Sequence, residues 1–174
     1  HILKGGEVLE YCTVFPSPEI KEYIESEDID IDILYEDESI IAVNKPPGLV
    51  VHPGSGNWSG TLLNGVISKL NFDDINSNPR PGIVHRLDKF TSGVMIVAKN
   101  YKSHSFISKQ FERREVKKVY NALVWGRVKE SGVIEGNMTR NNKNRKFFRM
   151  TEKDGRYSKT NYHVLDVLDP FSYL

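Results

Sequence analysis

Cysteine is scarce in this chain of 174 residues, where Cys12 is the only one. One cysteine cannot form a disulfide within the chain, and it excludes a zinc site built from several cysteines. It also favours a reducing compartment, so we expect a cytoplasmic protein. Long apolar runs are lacking too, since none approaches the ~18 residues of a membrane-spanning helix. The start, HILKGGEVLEYCTVF, lacks the basic region and apolar core of a signal peptide.

An excess of either charge is also absent overall, because the formal net charge is +1. The charges are nevertheless segregated along the chain. Residues 1–60 contain 3 Lys/Arg and 12 Asp/Glu, a net charge of −9, whereas residues 61–174 contain 21 and 11, a net charge of +10. A basic half can attract a polyanion, although a solvated basic surface would give the same count. We therefore expect any RNA contact to fall in the second half.

The hydrophobic pattern predicts a β-rich protein with two helices. Alternating or β-branched runs predict strands at 32–35, 39–44, 82–85, 93–98, 117–126 and 157–168. The first two strands should form a hairpin. Apolar residues at helical spacing predict a helix over 61–70 capped by Thr61, and a second over 103–113 capped by Ser103 or Ser105. This order predicts an α+β fold with a mixed, mainly antiparallel sheet and flanking helices.

The stretch PGIVHRLDKFTSGVMIVAKN, residues 81–100, places charged residues between two apolar runs. An aspartate in such a turn usually closes the turn or caps a helix. Here Arg86 and Lys89 lie within two residues of Asp88, and a nearby cation keeps a carboxylate ionised even when it is partly buried. An ionised, desolvated carboxylate is suited to nucleophilic attack at a sugar or base carbon. Flanking strands would hold such a nucleophile rigidly.

This turn resembles the signature of RNA pseudouridine synthases, in the family that modifies large-subunit ribosomal RNA and some tRNA. Other segments resemble that family in the same order, so the resemblance covers roughly residues 30–168. They are DIDILYEDESIIAVNKPPGLVVHPGSGNWSGTLLN, FERREVKKVYNALVWG and RNNKNRKFFRM followed by GRYSKTNYHVL. The resemblance implies a central RNA-binding cleft and isomerisation of specific uridines in structured RNA, with large-subunit rRNA as the expected substrate and tRNA as the alternative. It also implies that no cofactor or metal is required.

The resemblance assigns roles to three residues. Asp88 matches the catalytic aspartate, which attacks ribose C1′ or assists the departure of uracil, two alternatives that the sequence leaves open. Tyr120 matches the tyrosine that lies against the target base. Arg86 matches the arginine that fills the space left when the base flips out of its helix. We expect Asp88 to lie on a turn at the rim of a cleft, with Tyr120 facing the same cleft.

Basic residues supply further candidate contacts to RNA. His85 should mainly orient the turn by hydrogen bonds, and a basic loop after residue 139 could grip phosphates or simply be solvated. The candidate RNA-binding residues are Arg86, His85, Lys89, Arg140, Lys143, Arg145, Lys146 and Arg149. A metal site built from His52, His85 and Asp88 is not expected, because their separation matches no compact ligand spacing.

The resemblance also predicts how the chain is divided. Residues 1–30 would be the tail of an S4-type RNA-binding module plus an acidic linker, and residues 31–174 the catalytic domain. Relatives continue into a third motif that supplies a basic partner for the aspartate, so we expect a chain truncated at both ends and incomplete at the C-terminal end. Two alternatives stay open: an RNA-binding module without catalysis, and a glycosidase-like hydrolase, which would need a second facing carboxylate.

Overall fold

The structure, a computed structural model, describes residues 24–54, 56–72, 80–141 and 147–174. It forms two compact units, one ending at Lys117 and the other spanning Lys118–Leu174. The elements are β1 Asp32–Glu36, β2 Ile40–Lys45, α1 Leu62–Val66 with a 3-10 turn at Ile67–Lys69, β3 Gly93–Ala98, α2 Tyr101–Glu112, β4 Leu123–Trp125, β5 Gly132–Arg140, β6 Phe148–Thr151, β7 Arg156–Tyr162, β8 Asp166–Leu168 and β9 Phe171–Tyr173. The α+β class is confirmed, with the described strands arranged in three antiparallel sheets.

The first unit contains the sheet β1-β2-β3, in that order. The predicted hairpin is present, because β1 and β2 pair antiparallel around a tight turn. One carboxylate oxygen of Asp37 closes this turn by accepting the backbone N–H groups of Ser39 and Ile40 at 2.7 and 2.8 Å. These bonds lower the pKa of Asp37 below its usual value, and the bond from Ile40 makes the larger contribution.

The core of the first unit is built from the inward faces of β2 and β3 and from α1. Ile41 pairs with Val97, and Val43 pairs with Met95. All four side chains are fully buried, each burial contributing roughly 1.5–3 kcal/mol. The α1 residues that complete this core are Leu62, Leu63 and Val66.

The predicted first helix is present but shorter than residues 61–70. Thr61 caps it as expected, since its hydroxyl accepts the Asn64 N–H while the Asn64 side-chain oxygen accepts the Thr61 N–H. After five residues the helix tightens into the 3-10 turn Ile67–Lys69. Asn64, Gly65 and the β-branched Val66 all have low helix propensity, so α1 stops early.

Two further predictions about the first unit need correction. Residues 82–85 are not a strand, because only Ile83 bridges to Val97 of β3. A side chain explains the break: the Ile96 N–H, which a continuing strand would bind, donates instead to the His85 ring at 2.9 Å. The second helix is confirmed, but it begins at Tyr101 rather than near 103. Its cap is Asn100, whose side-chain oxygen accepts the Ser103 N–H at 2.9 Å.

The second unit contains two small sheets, with orders β4-β9-β8 and β6-β5-β7. The predicted strand over 117–126 is reduced to β4, and the predicted strand over 157–168 is two strands, β7 and β8. The predicted strand is interrupted at residues 163–165, where the chain passes from one sheet to the other. β5 was not predicted, because its sequence GVIEGNMTR contains two glycines and no clear apolar alternation.

Residues 24–31, part of the predicted acidic linker, are described and form part of the first unit. The Glu27 N–H donates to the Asn64 carbonyl at 2.9 Å, and the Glu27 carboxylate accepts the Gly60 N–H. Ile24 and Ile31 pack on the core. Residues 1–23, where the S4-type tail was expected, lie outside the described residues, and a boundary near residue 30 stays a prediction. In the described parts of the chain, no helix is long and apolar enough to cross a membrane.

Candidate active site

Asp88 opens a four-residue turn that displays its charged side chains to solvent. The Thr91 N–H donates to the Asp88 carbonyl at 3.1 Å, which closes the turn Asp88–Thr91. The side chains of Arg86, Asp88 and Lys89 are exposed. Between them, Leu87 is 8% exposed and packs in the core. One buried leucine therefore anchors a turn whose carboxylate can reach a ligand.

Lys45, at the end of β2, holds this turn from inside the protein. Its side chain is fully buried. Its Nζ donates to three backbone carbonyls, those of Pro46 at 2.9 Å, Leu49 at 3.0 Å and Lys89 at 3.1 Å. The Lys89 carbonyl also accepts the Gly48 N–H at 2.7 Å. Because an ammonium has three protons, this arrangement satisfies it completely and joins the 46–49 segment to the Asp88 turn.

The electrostatics link Lys45 to Asp88. Burial lowers the pKa of Lys45, and the nearby Asp88 carboxylate opposes that shift. A buried cation on the inner side of the turn thus faces an exposed carboxylate on the outer side. Lys45 was not among the predicted site residues. The signal was in the alternation of β2, since Lys45 shares the inward face of Ile41 and Val43.

His85 fixes the chain before the turn. Its Nε2 accepts the Ile96 N–H at 2.9 Å, and its ring stacks on Phe111 of α2 with centroids 4.7 Å apart and planes at 21°. Since Nε2 is an acceptor, the bond requires a ring without a proton on that atom. The imidazole therefore ties the approach to the turn to β3 and α2. Its role as an RNA contact stays a prediction.

Tyr120 lies in the second unit, before β4 rather than inside a strand. It is 57% exposed, and the neighbouring Val119 is also exposed. The alternation predicted for residues 117–126 therefore does not determine the direction of its side chain. Asp88 and Tyr120 belong to different compact units, so their common cleft stays a prediction.

The basic stretch after residue 139 does not form one patch in its described part. Arg140 pairs with Phe148, and Thr139 pairs with Arg149. Successive residues of a strand point to opposite faces, so Arg140 and Arg149 lie on opposite faces of the sheet. The Arg140 guanidinium lies 5.3 Å from the Phe148 ring centroid. The Arg140 face includes an open groove of about 420 Å³, lined among others by Ile134, Met138, Phe148 and Met150. Lys143, Arg145 and Lys146 lie outside the described residues.

A metal site is a separate question from the Asp88 turn. Across the described ranges, no group of three or more His, Cys, Asp and Glu side chains is arranged to hold a metal ion. The expectation that catalysis needs neither metal nor cofactor stays a prediction.

Solved structures and curated proteins resemble this chain. The structure of human RNA pseudouridylate synthase domain containing 1 superposes with a TM-score of 0.64 at 23% identity, covering 83% of this chain and 57% of that one. This likeness concerns the fold. Ribosomal large subunit pseudouridine synthase D of Neisseria meningitidis serogroup B is 42% identical over 98% of this chain and 44% of its own length. An uncharacterized RNA pseudouridine synthase of Chlorobaculum parvum is 45% identical, over 91% and 50%.

The chain spans about half the length of the curated relatives that it matches. A family model described as RNA pseudouridylate synthase matches residues 39–172, which include the Asp88 turn, Lys45 and Tyr120. The predicted resemblance is thereby confirmed, and the chain belongs to the RNA pseudouridylate synthase family.

Proposed function

We propose that this chain carries the catalytic machinery of an enzyme that converts specific uridines of large-subunit ribosomal RNA to pseudouridine. Two relatives named ribosomal large subunit pseudouridine synthase D, 40–42% identical to this chain, support the choice of RNA. The observation that carries the proposal is the Asp88 turn, where an exposed carboxylate stands on a backbone fixed by a buried lysine. The single cysteine supports a cytoplasmic location.

The proposed reaction is an isomerisation in which every atom is conserved. The bond between uracil N1 and ribose C1′ breaks, the base rotates, and a bond forms between C5 and C1′. C5 gives up its proton and N1 gains one, so no electrons are gained or lost. Asp88 acts as the nucleophile that attacks a carbon of the target uridine, and it is regenerated when the new bond forms. Because the reaction needs neither an oxidant nor an activated group, protein side chains suffice.

The surroundings of Asp88 suit a charged nucleophile. Lys45 places a positive charge on the buried side of the turn, and Arg86 and Lys89 place two more on its exposed side. This local excess of positive charge also attracts the phosphates of RNA. Leu87 and Lys45 keep the turn in place, so the carboxylate need not be ordered when the substrate binds.

The target base must leave its helix for the reaction to occur. Extrusion of a nucleotide costs a few kcal/mol, which contacts to the opened RNA must offset. Arg86 is exposed next to the Asp88 turn, and we assign it the place of the flipped base. Tyr120 is assigned to contact the uracil, and its exposed ring is available for stacking.

The test is the Asp88→Asn substitution in the full-length protein. This substitution is chosen because asparagine keeps the shape of aspartate and removes its charge. Ribosomal RNA labelled with tritium at uridine C5 is the substrate, and released tritium measures turnover. We expect no detectable single-turnover release from the Asn variant and unchanged RNA binding. Asp28→Asn, at an exposed carboxylate of the same unit, is the matched control and should keep full activity.

Other products would point to other functions. Free uracil in place of pseudouridine would identify a hydrolase. RNA binding without any product from the unaltered protein would identify a binding module. Appreciable turnover by Asp88→Asn would remove Asp88 from the nucleophile role.

A further inference from the structure

Phe90 is exposed at a position where the fold does not need an aromatic ring. It is 79% exposed, which places it among the most exposed large apolar side chains of the described residues. It is the third residue of the Asp88–Thr91 turn, two positions after the proposed nucleophile. When a ligand covers a large apolar side chain that is exposed to water, the free energy of the system falls.

The backbone beneath Phe90 is fixed on both sides. The carbonyl of Lys89 accepts hydrogen bonds from Lys45 Nζ at 3.1 Å and from the Gly48 N–H at 2.7 Å. The N–H of Thr91 donates to the Asp88 carbonyl at 3.1 Å. A ring mounted on a fixed backbone loses little conformational entropy when it binds, so its contacts contribute more to affinity.

The chemistry beside the ring favours a nucleic acid as its partner. Lys89 Nζ lies 5.7 Å from the Phe90 ring centroid, and Arg86 is exposed a few residues earlier. A flat aromatic face beside the Lys89 cation matches a nucleotide, which has a flat base and an anionic phosphate. A protein partner would need a much larger apolar surface than one ring, about 800 Å² on each side.

We propose that Phe90 stacks on a nucleobase next to the target uridine and thereby helps to select the RNA site. This inference rests on the proposed function, because Asp88 must engage a uridine for Phe90 to reach its neighbour. Stacking requires only the face of a base, so the contact tolerates every base and favours purines, whose faces are larger. Phe90 is thus a substrate-binding contact that distinguishes flanking bases only by this preference for purines, and it takes no part in bond breaking.

The first experiment separates substrate binding from chemistry. Initial rates are measured on large-subunit ribosomal RNA transcribed from the source organism, with the protein as its gene encodes it. We expect Phe90→Ala to raise KM roughly 10- to 100-fold, as removal of one base–aromatic stack predicts. The kcat should stay within about twofold, because chemistry resides in Asp88. Phe90→Tyr should restore KM, and Phe106→Ala, at a 65% exposed phenylalanine of α2, should not change it.

The second experiment detects stacking directly and does not depend on turnover. A 12-nucleotide RNA carries one uridine with 2-aminopurine on its 5′ or 3′ side, and stacking on Phe90 should quench the probe's fluorescence. We expect quenching with the unaltered protein and with Phe90→Tyr, and its loss with Phe90→Leu, which stays apolar but cannot stack. Equal quenching by Phe90→Leu would overturn the proposal.

The failures of the two proposals can be told apart. If the unaltered protein makes pseudouridine and Phe90→Ala leaves KM unchanged, the stacking inference is wrong and the proposed function stands. An equal KM increase from Phe106→Ala would also overturn it, because the effect would not be specific to the turn. If no protein makes pseudouridine, the proposed function fails, and the fluorescence measurement alone decides whether Phe90 stacks on RNA.

Discussion

Replacing Lys45 with methionine removes the ammonium that joins the Asp88 turn to the 46–49 segment. The methionine side chain has about the same length as the apolar stem of lysine and fills the same space. Three carbonyls lose a charged donor, those of Pro46, Leu49 and Lys89. They are not affected equally. The Lys89 carbonyl keeps the Gly48 N–H, and Pro46 is exposed, so water can bind its carbonyl. The Leu49 carbonyl, which is half-buried, should lose the most.

The expected magnitude follows from these contacts. A hydrogen bond from a charged donor contributes ~1.5–3 kcal/mol, so three contribute ~4.5–9 kcal/mol. Burying an ammonium costs several kcal/mol, and methionine avoids that cost. The difference predicts a loss of about 2–4 kcal/mol in the free energy of unfolding. We expect kcat to fall only about tenfold, because the Gly48 and Thr91 N–H groups still hold the turn.

Urea denaturation measures the stability, with an unchanged slope against denaturant showing that the unfolded state is the same. Lys99→Met is the matched control. Lys99 Nζ pairs with a Glu36 carboxylate oxygen at 2.9 Å near the surface, a contact whose removal should cost less than ~1 kcal/mol. If the free energy of unfolding of Lys45→Met lies within ~0.5 kcal/mol of that of the unaltered protein, and kcat is also unchanged, the buried ammonium does not support the turn.

Two more perturbations address the first unit. His85→Leu removes the acceptor of the Ile96 N–H, so we expect ~1–3 kcal/mol of destabilisation and faster hydrogen exchange at that amide; unchanged exchange at Ile96 would contradict the role given to His85. The backbone bonds that lower the pKa of Asp37 contribute stability above its ordinary value of 3.8, and that stability is lost as the pH falls through the lower folded value. Asp37→Asn should therefore weaken the acid-side decline in stability measured by urea denaturation between pH 5 and about pH 2, and an unaltered decline would contradict that reasoning.

Local signals predicted the parts of the fold that local chemistry determines. The β1-β2 hairpin follows from two apolar runs around Asp37, and the start of α1 follows from Thr61 and its capping box. The start of α2 was placed too late because two serines competed with Asn100 for the same capping role. Propensity alone does not decide between such neighbours, since all three residue types are good caps.

Non-local hydrogen bonding explains why the strand at 82–85 was predicted wrongly. The run GIV has the composition of a strand, and Ile83 does bridge to β3. The ladder ends because the His85 side chain supplies the acceptor that a backbone carbonyl would otherwise provide. Composition cannot reveal this substitution, because it depends on a contact across eleven residues. The second unit posed the same difficulty, since the run YSKTNYHVLDVL, predicted as one strand, divides into β7 and β8 in two different sheets.

The candidate site divides in the same way between chemistry that is visible in the sequence and chemistry that the fold creates. Asp88 stood out because two cationic neighbours, Arg86 and Lys89, lie within two residues of it, whereas Lys45 was not singled out from the sequence. Lys45 is distinguished by the face of the strand on which it lies. An inward position at the end of a buried strand is costly for a lysine unless carbonyls surround it. The three carbonyls that do so lie in two segments separated by about forty residues, and only the fold brings them together. In this chain, the lysine on the inward face of β2 marks the support of the Asp88 turn, which the total charge of the region does not reveal.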